Sequence, residues 1–407
     1  MSKAFQVAPD LDFIKELQRV GGEDLKKCYQ CATCSVVCPL SPADDPYPRK
    51  EMIWGQWGLK DRLVNDIDIW LCHNCGTCSD LCPRGAKPGD MLAALRNMAY
   101  RSLVQPSCIG KWLSSVVFLP ILIGIPAVIF GIIWLIRATQ LGTFFPTVDG
   151  KVVYGALFPG DFTIDPVFGL TAVFVAITFG VGVKNLIDGF NQSVKKTFVV
   201  GYKRPSLKDA IVATIKDEIL THAKWKDCGQ SADDKEKFTG HLALFYGFVA
   251  CFIVTSIVAM AHWGGKLIPF LTPVGHTPMP LWSPVKILAN VGAVLLLIGL
   301  TYLTRRRLNL NPAKTNSSYY DWYLLGVIWV IAVTGILAEV FRLSNIAPLA
   351  YLIYYVHLVS VFMMIAYLPW SKLGHLVYRT VALVYARYVG RLPIDQNIIQ
   401  ADKVFVV

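Results

Sequence analysis

The sequence predicts a mostly α-helical protein in two parts: a small cysteine-rich helical domain, then a bundle of six membrane-spanning helices. Three observations predict it. Of the 407 residues, 54% are apolar and only 16% are charged, a mix foreign to an ordinary soluble protein. The apolar residues concentrate after about Ser107 in six stretches, each near the ~20 residues that a bilayer span requires. Eight of the eleven cysteines lie ahead of that point, in two runs of identical spacing. The expected division is residues 1–106, then 107–370, then a basic tail over 371–407.

The first run is Cys28-x-x-Cys31-x-x-Cys34-x-x-x-Cys38-Pro39, and the second is Cys72-x-x-Cys75-x-x-Cys78-x-x-x-Cys82-Pro83. That is the spacing of a bacterial two-cluster ferredoxin module. Three thiolates on one tight loop cap three corners of a 4Fe–4S cube. The fourth, in a Cys-Pro turn, reaches across to the other cube. Cys28, Cys31, Cys34 and Cys82 are therefore expected to hold one cluster, and Cys72, Cys75, Cys78 and Cys38 the other. Disulfides would need an oxidising compartment. The polar first 27 residues carry no apolar export core and no twin-arginine signal. Zinc ribbons use paired C-x-x-C knuckles with four thiolates per metal, whereas each run here adds a third and fourth cysteine at matching offsets.

The expected spans are 113–136, 167–187, 242–263, 285–303, 322–341 and 350–368. Pro120 and Pro126 predict a kink in the first. Lysine and arginine set the orientation. The 188–240 loop carries ten of them, the next loop on that side adds Arg305, Arg306, Arg307 and Lys314, and the tail adds Lys372, Arg379, Arg387, Arg391 and Lys403. The opposite loops hold Arg137, Lys151, Lys266 and Arg342. Both termini and the cysteine-rich domain are thus expected in the cytoplasm, with the chain in the cytoplasmic membrane. The same bias accounts for much of the net charge of +11 and suits anionic lipid. No nucleic-acid motif stands out, so nucleic acid is not an expected partner. The tail alternates apolar and basic residues and is expected to lie on the membrane surface.

Four of the seven histidines sit at span depths. His241 begins the third span and His262 ends it. His357 lies inside the sixth span and His375 just beyond it. Imidazole is a usual axial ligand of haem iron, and ionisable residues in spans are rare and functional. His241 and His375 share the cytoplasmic depth, and His262 and His357 the periplasmic half. Along each helix the two histidines lie about 27–32 Å apart at ~1.5 Å per residue, room for two stacked haems b. An interfacial histidine turned to the headgroups is the alternative at each position. His276 could replace His262. His73 and His222 read as soluble, non-ligating residues.

The fifth span ends in Glu339 and Arg342, one helical turn apart. A carboxylate there could take the proton of a quinol. A structural Glu–Arg pair is the equal alternative. Cys108, Cys228 and Cys251 read as ordinary thiols. No hydrolase triad, P-loop or dinucleotide fingerprint stands out.

Two stretches now point to a family. Pro48-Arg-Lys-Glu-Met-Ile-Trp, with Asp68-Ile-Trp-Leu-Cys72-His-Asn-Cys75-Gly-Thr-Cys78-Ser-Asp-Leu-Cys82-Pro-Arg-Gly, resembles the small iron–sulfur C subunits of heterodisulfide reductases. Gly240-His241-Leu-Ala-Leu-Phe-Tyr-Gly-Phe, with Pro369-Trp-Ser-Lys372-Leu-Gly-His375, is similar to the cytochrome b, or E, subunits of the same enzymes and to nitrate-reductase gamma-type cytochromes. Both halves in one chain resemble the C subunits of quinone-interacting membrane-bound oxidoreductase complexes of sulfate-reducing microbes. That resemblance implies a cytochrome b bundle that exchanges electrons with menaquinone. It implies two heterodisulfide-reductase A-like flavin and iron–sulfur partner subunits, and adenylylsulfate reductase as the eventual acceptor. The competing expectations are a heterodisulfide-reductase-type or sulfite-reductase-linked membrane component, and a zinc-bearing membrane anchor. One departure stands out: the third span's histidines are a whole helix apart, farther than in the nitrate-reductase type.

Overall fold

The computed structural model describes residues 8–42, 45–193, 204–222, 232–275, 277–312 and 314–391. His276, Cys228 and the tail beyond 391 lie outside the described residues. The cysteine-rich domain is built on α1 (Leu11–Leu17), α2 (Arg49–Gln56) and α3 (Pro88–Leu103). Pro88 opens α3 at the first turn, where its missing N–H costs nothing.

Among the described residues six helices are long and apolar enough to cross a bilayer, the mostly α six-span architecture the sequence predicts. They are α4 (Leu119–Leu141), α5 (Asp165–Ser193), and, after the short α6 (Leu207–Thr214), α7 (Ala232–Gly265), α8 (Pro284–Leu308), α9 (Tyr319–Leu343) and α10 (Ala347–Ala366). α11 (His375–Val389) closes the described chain. A two-residue hairpin, β1 (Thr147–Val148) against β2 (Lys151–Val152), caps the end far from the cysteines. Its Asp149-Gly150 turn has φ of +50° and +72°, the left-handed pair that such turns require.

α4 runs on through Pro126. The proline removes the N–H that would bond Leu122 O, and the Tyr367 hydroxyl donates to that carbonyl instead at 3.0 Å. α9 starts on a capping box, Ser318 and Asp321 each bonding the other's backbone N–H. α7 lies against α8 through glycines. A Cβ at Gly299 would stand 2.6 Å from Leu244 N and 2.7 Å from Gly240 O, so only glycine allows that approach.

The cysteine-rich domain is packed into one core with the membrane helices. Trp70, Tyr100 and Tyr378 meet with ring centres 5.4–5.8 Å apart, and Phe179 of α5 joins Tyr378 at 5.4 Å. α11 buries Tyr378, Ala382, Leu383 and Ala386 against the protein and leaves Leu376 and Tyr388 exposed. Its cations find protein acceptors: Arg379 Nε donates to Trp70 O at 3.1 Å, and Arg391 pairs with Asp68 at 2.6 Å and Asp45 at 3.1 Å.

Candidate functional site

The thiols gather as two groups that cross between the runs. Burial pushes the Cys34 thiol up to about 11, and Cys28, Cys82 and Cys31 add like-charge repulsion. Burial pushes Cys38 up to about 12, with Cys72 and Cys75 adding to it. Cys78 is raised well above its usual value by burial, then by Cys72, Cys75 and Cys38. Cys31, at the surface, is lowered by its bond with the Thr33 hydroxyl. Buried thiols of this kind ionise together only around cationic metal, which is what a cluster supplies.

The two loops share one construction. Gln30 N and Asn74 N donate to the Sγ atoms of Cys28 and Cys72 at 3.5 and 3.3 Å. Thr33 and Thr77 place hydroxyls 3.4 Å from the Sγ atoms of Cys31 and Cys75. Ser35 Oγ accepts from Arg49 N at 3.1 Å, and Ser79 Oγ from Gly89 N at 3.0 Å. Left-handed backbone at Gln30, Ala32, Asn74 and Gly76 (φ of +61°, +68°, +53° and +95°) bends each loop around its thiols. N–H donors aimed at sulfur, with four thiols converging, fit an iron–sulfur cluster.

His241 and His375 stand edge-to-face, with ring centres 6.5 Å apart and planes inclined at 64°. Two imidazoles on opposite sides of one metal, at about 2.0 Å per bond, stand about 6 Å apart centre to centre. His375 Nδ1 lies 2.5 Å from Lys372 O. A carbonyl only accepts, so Nδ1 carries the proton and Nε2 keeps its lone pair, the state a ligand needs. Burial, helped by His241, pushes His375 down to about 3, so the ring is neutral at ordinary pH. A cavity of about 810 Å³ runs from Cys72 and Asn74 to these rings, with Arg306 and Arg379 among its cationic lining. The pair fits a haem with two imidazole ligands and room for a charged edge.

Sequence reasoning missed His222. Its ring centre stands 5.2 Å from that of His241, brought there by the chain following α6. Nothing in the local pattern signals this, because the contact is tertiary.

The distal residues are engaged elsewhere. His262 Nε2 lies 2.6 Å from Asp161, which also pairs with Lys266 at 2.9 Å. His357 Nδ1 lies 3.0 Å from Thr334 Oγ1, whose own proton goes to Val330 O at 2.5 Å. That hydroxyl can only accept from the imidazole, leaving His357 Nε2 bare. Among the described residues no ring contact joins His262 to His357. Glu339 pairs with Lys286 of α8 at 2.9 Å rather than with Arg342, because the first turn of α8 meets the last turns of α9. Its Oε1 is buried and has no hydrogen-bond partner among the described residues.

Known proteins resemble the two halves separately. Residues 24–86 match the family described as 4Fe-4S dicluster domain, and residues 111–393 the family described as Citrate utilization protein B. Over 156 residues the chain is 28% identical to the E subunit of the dihydromethanophenazine:CoB–CoM heterodisulfide reductase of Methanosarcina thermophila, covering 35% of this chain and 56% of that protein. Over 94 residues it is 35% identical to the C subunit of the H(2):CoB-CoM heterodisulfide,ferredoxin reductase of Methanothermobacter marburgensis, covering 23% and 50%. A protein of Archaeoglobus profundus, described as like the heterodisulfide reductase C subunit, is 35% identical over 88 residues, covering 21% and 45%. The chain spans about half the length of the curated relatives it matches. No solved structure matches it. One chain thus joins a part like the C subunits to a part like the E subunits of heterodisulfide reductases. With 111–393 matched, more than half of its length, the chain belongs to the Citrate utilization protein B family and carries a 4Fe-4S dicluster domain ahead of that region.

Proposed function

We propose that this protein is the membrane electron-transfer subunit of a quinone oxidoreductase complex, linking menaquinol or menaquinone to flavin and iron–sulfur partner subunits. The observation that carries it is the 6.5 Å separation of His241 and His375 beside the cavity that reaches Cys72. When loaded, a haem b at this pair and two 4Fe–4S clusters at the crossed thiols would each carry single electrons. Cys28, Cys31, Cys34 and Cys82 would hold one cluster, and Cys72, Cys75, Cys78 and Cys38 the other. Two heterodisulfide-reductase A-like subunits are the partners and adenylylsulfate reductase the acceptor beyond them, on the family resemblance. The lysine and arginine bias supports cytoplasmic termini.

One haem is the count we propose, since His262 Nε2 is taken by Asp161 and, among the described residues, no ring contact joins His262 to His357. Oxidation of a quinol releases two electrons and two protons. Gly335 lies against the His357 ring, where an added Cβ would stand 3.2 Å from it. Glu339 is one turn further on the same face of α9. The His357 imidazole and Glu339 Oε1, which has no hydrogen-bond partner among the described residues, are the groups to receive those protons.

The test is a dithionite-reduced-minus-oxidised spectrum of the purified chain, with haem and iron quantified. One haem b and about eight non-haem irons per chain are expected. Absence of haem would sink the quinone route, and two haems would restore the His262–His357 pair. A second reading, a heterodisulfide-reductase-type complex drawing on a different lipid-soluble carrier, is favoured by the Methanosarcina relative, whose name specifies dihydromethanophenazine.

A further inference from the structure

The two cysteine loops share a frame but not a charge. In the first, the neutral amide of Gln56 donates to Leu25 O at 3.2 Å and Cys28 O at 3.0 Å. In the second, the guanidinium of Arg96 donates to Ile69 O at 2.8 Å and Cys72 O at 3.1 Å. The carbonyls correspond: the leading cysteine of the run and the residue three before it. Gln56 on α2 and Arg96 on α3 hold equivalent posts.

Two more cations reach the second loop, both from the membrane half. Lys237 on α7 donates to Asn74 O, between Cys72 and Cys75. Arg379 on α11 donates to Trp70 O at 3.1 Å, two residues before Cys72, and attracts the Cys72 thiolate. Lys237 stands four residues before His241, and Arg379 four after His375. Each therefore shares a helix face with one member of the histidine pair. The first group of thiols has Arg49 as a cationic neighbour, and Arg84, two residues after Cys82, lies over the Tyr29 ring beside Cys28 at 4.1 Å.

We propose that Lys237 and Arg379 are positioning residues: they clasp the second cysteine loop to the histidine pair and hold the cluster bound there at a higher reduction potential than the first. The proposal rests on the iron–sulfur and haem reading above. A cluster that gains an electron becomes more negative, and a fixed cation nearby stabilises that form. The first loop, alike in backbone but held by the neutral Gln56 where the second has Arg96, and bonded by neither Lys237 nor Arg379 among the described residues, is the internal reference. The clasp also makes the loop that carries Cys72, Cys75 and Cys78 the one facing the membrane, leaving exposed Cys31 facing outward.

The test is a redox titration followed by electron paramagnetic resonance on the full purified chain and on Lys237→Gln, Arg379→Gln and Arg379→Lys. Each glutamine variant is expected to lower the reduced-to-oxidised ratio of the second cluster about tenfold at a fixed potential, which is 59 mV for a one-electron couple. The first cluster should hold its midpoint, and Arg379→Lys should recover most of the shift. Midpoints that stay put in both glutamine variants, or two clusters that shift together, would overturn the proposal. Iron and haem per chain report folding. If Arg379→Gln loses iron, Lys237→Gln decides alone, and an unmoved midpoint there overturns the proposal. A parent protein without iron would instead sink the reading on which the proposal rests.

Discussion

His375 is oriented before any metal arrives, because Lys372 O takes its Nδ1 proton and burial keeps the ring neutral. Replacing it with alanine is expected to take haem from one per chain to none while non-haem iron is retained; an unchanged haem-to-protein ratio would defeat the assignment. Lys50 poses a different problem. Its Nζ lies 2.9 Å from Asp45, 3.4 Å from Asp66 and 3.6 Å from Glu51, and it also bonds Asp68. Burial raises Glu51 and lifts Asp68 to about 6. Lys50→Met would strand buried carboxylates, at a cost of about 3–5 kcal/mol. That cost needs charged carboxyls, and losing Lys50 raises Asp68 further, so it should be full only well above pH 6 and shrink as pH falls through that range. Thermal unfolding of parent and variant at both pH values checks this, and an equal loss at each would point to packing alone. At this scale spacing and depth made the eight cysteines and four histidines stand out. His222 and Lys286 were hidden, because their partners His241 and Glu339 come from other helices.

The spans show the same division at the level of elements. Each expected apolar stretch falls within or against one of the six helices, since hydropathy and length are local properties. The partners of α11 were not legible, for the opposite reason. Its alternation of apolar and basic residues fits a lipid surface equally well, while Arg391 and Arg379 find Asp68 and Trp70 O more than 300 residues away in sequence. Close helix approach was likewise silent, although it rests on single glycines. Gly299→Ala should force α7 and α8 apart, because the new methyl meets backbone atoms that cannot swing aside. A loss of about 1–3 kcal/mol, read as a lower unfolding midpoint in detergent, is expected. An unchanged midpoint would mean the two helices do not touch there.

For the whole molecule, the two ends of the bundle divide the chemistry. The thiol groups, His241 and His375 lie at one end; Glu339, Lys286 and His357 lie towards the other. Glu339→Gln should slow quinol oxidation by at least about 100-fold and leave haem and iron content untouched. Normal turnover with a menaquinol analogue would rule this out. The knot of Trp70, Tyr100, Tyr378 and Phe179 then bears on how traffic between the ends behaves. Where iron–sulfur and membrane parts are separate polypeptides, each encounter is bimolecular, so its frequency falls on dilution and with added salt. Here the second thiol group is a permanent resident beside the histidines. On the function proposed above, transfer across that gap would be a unimolecular event, with a rate set by a fixed distance and indifferent to how much protein the membrane holds.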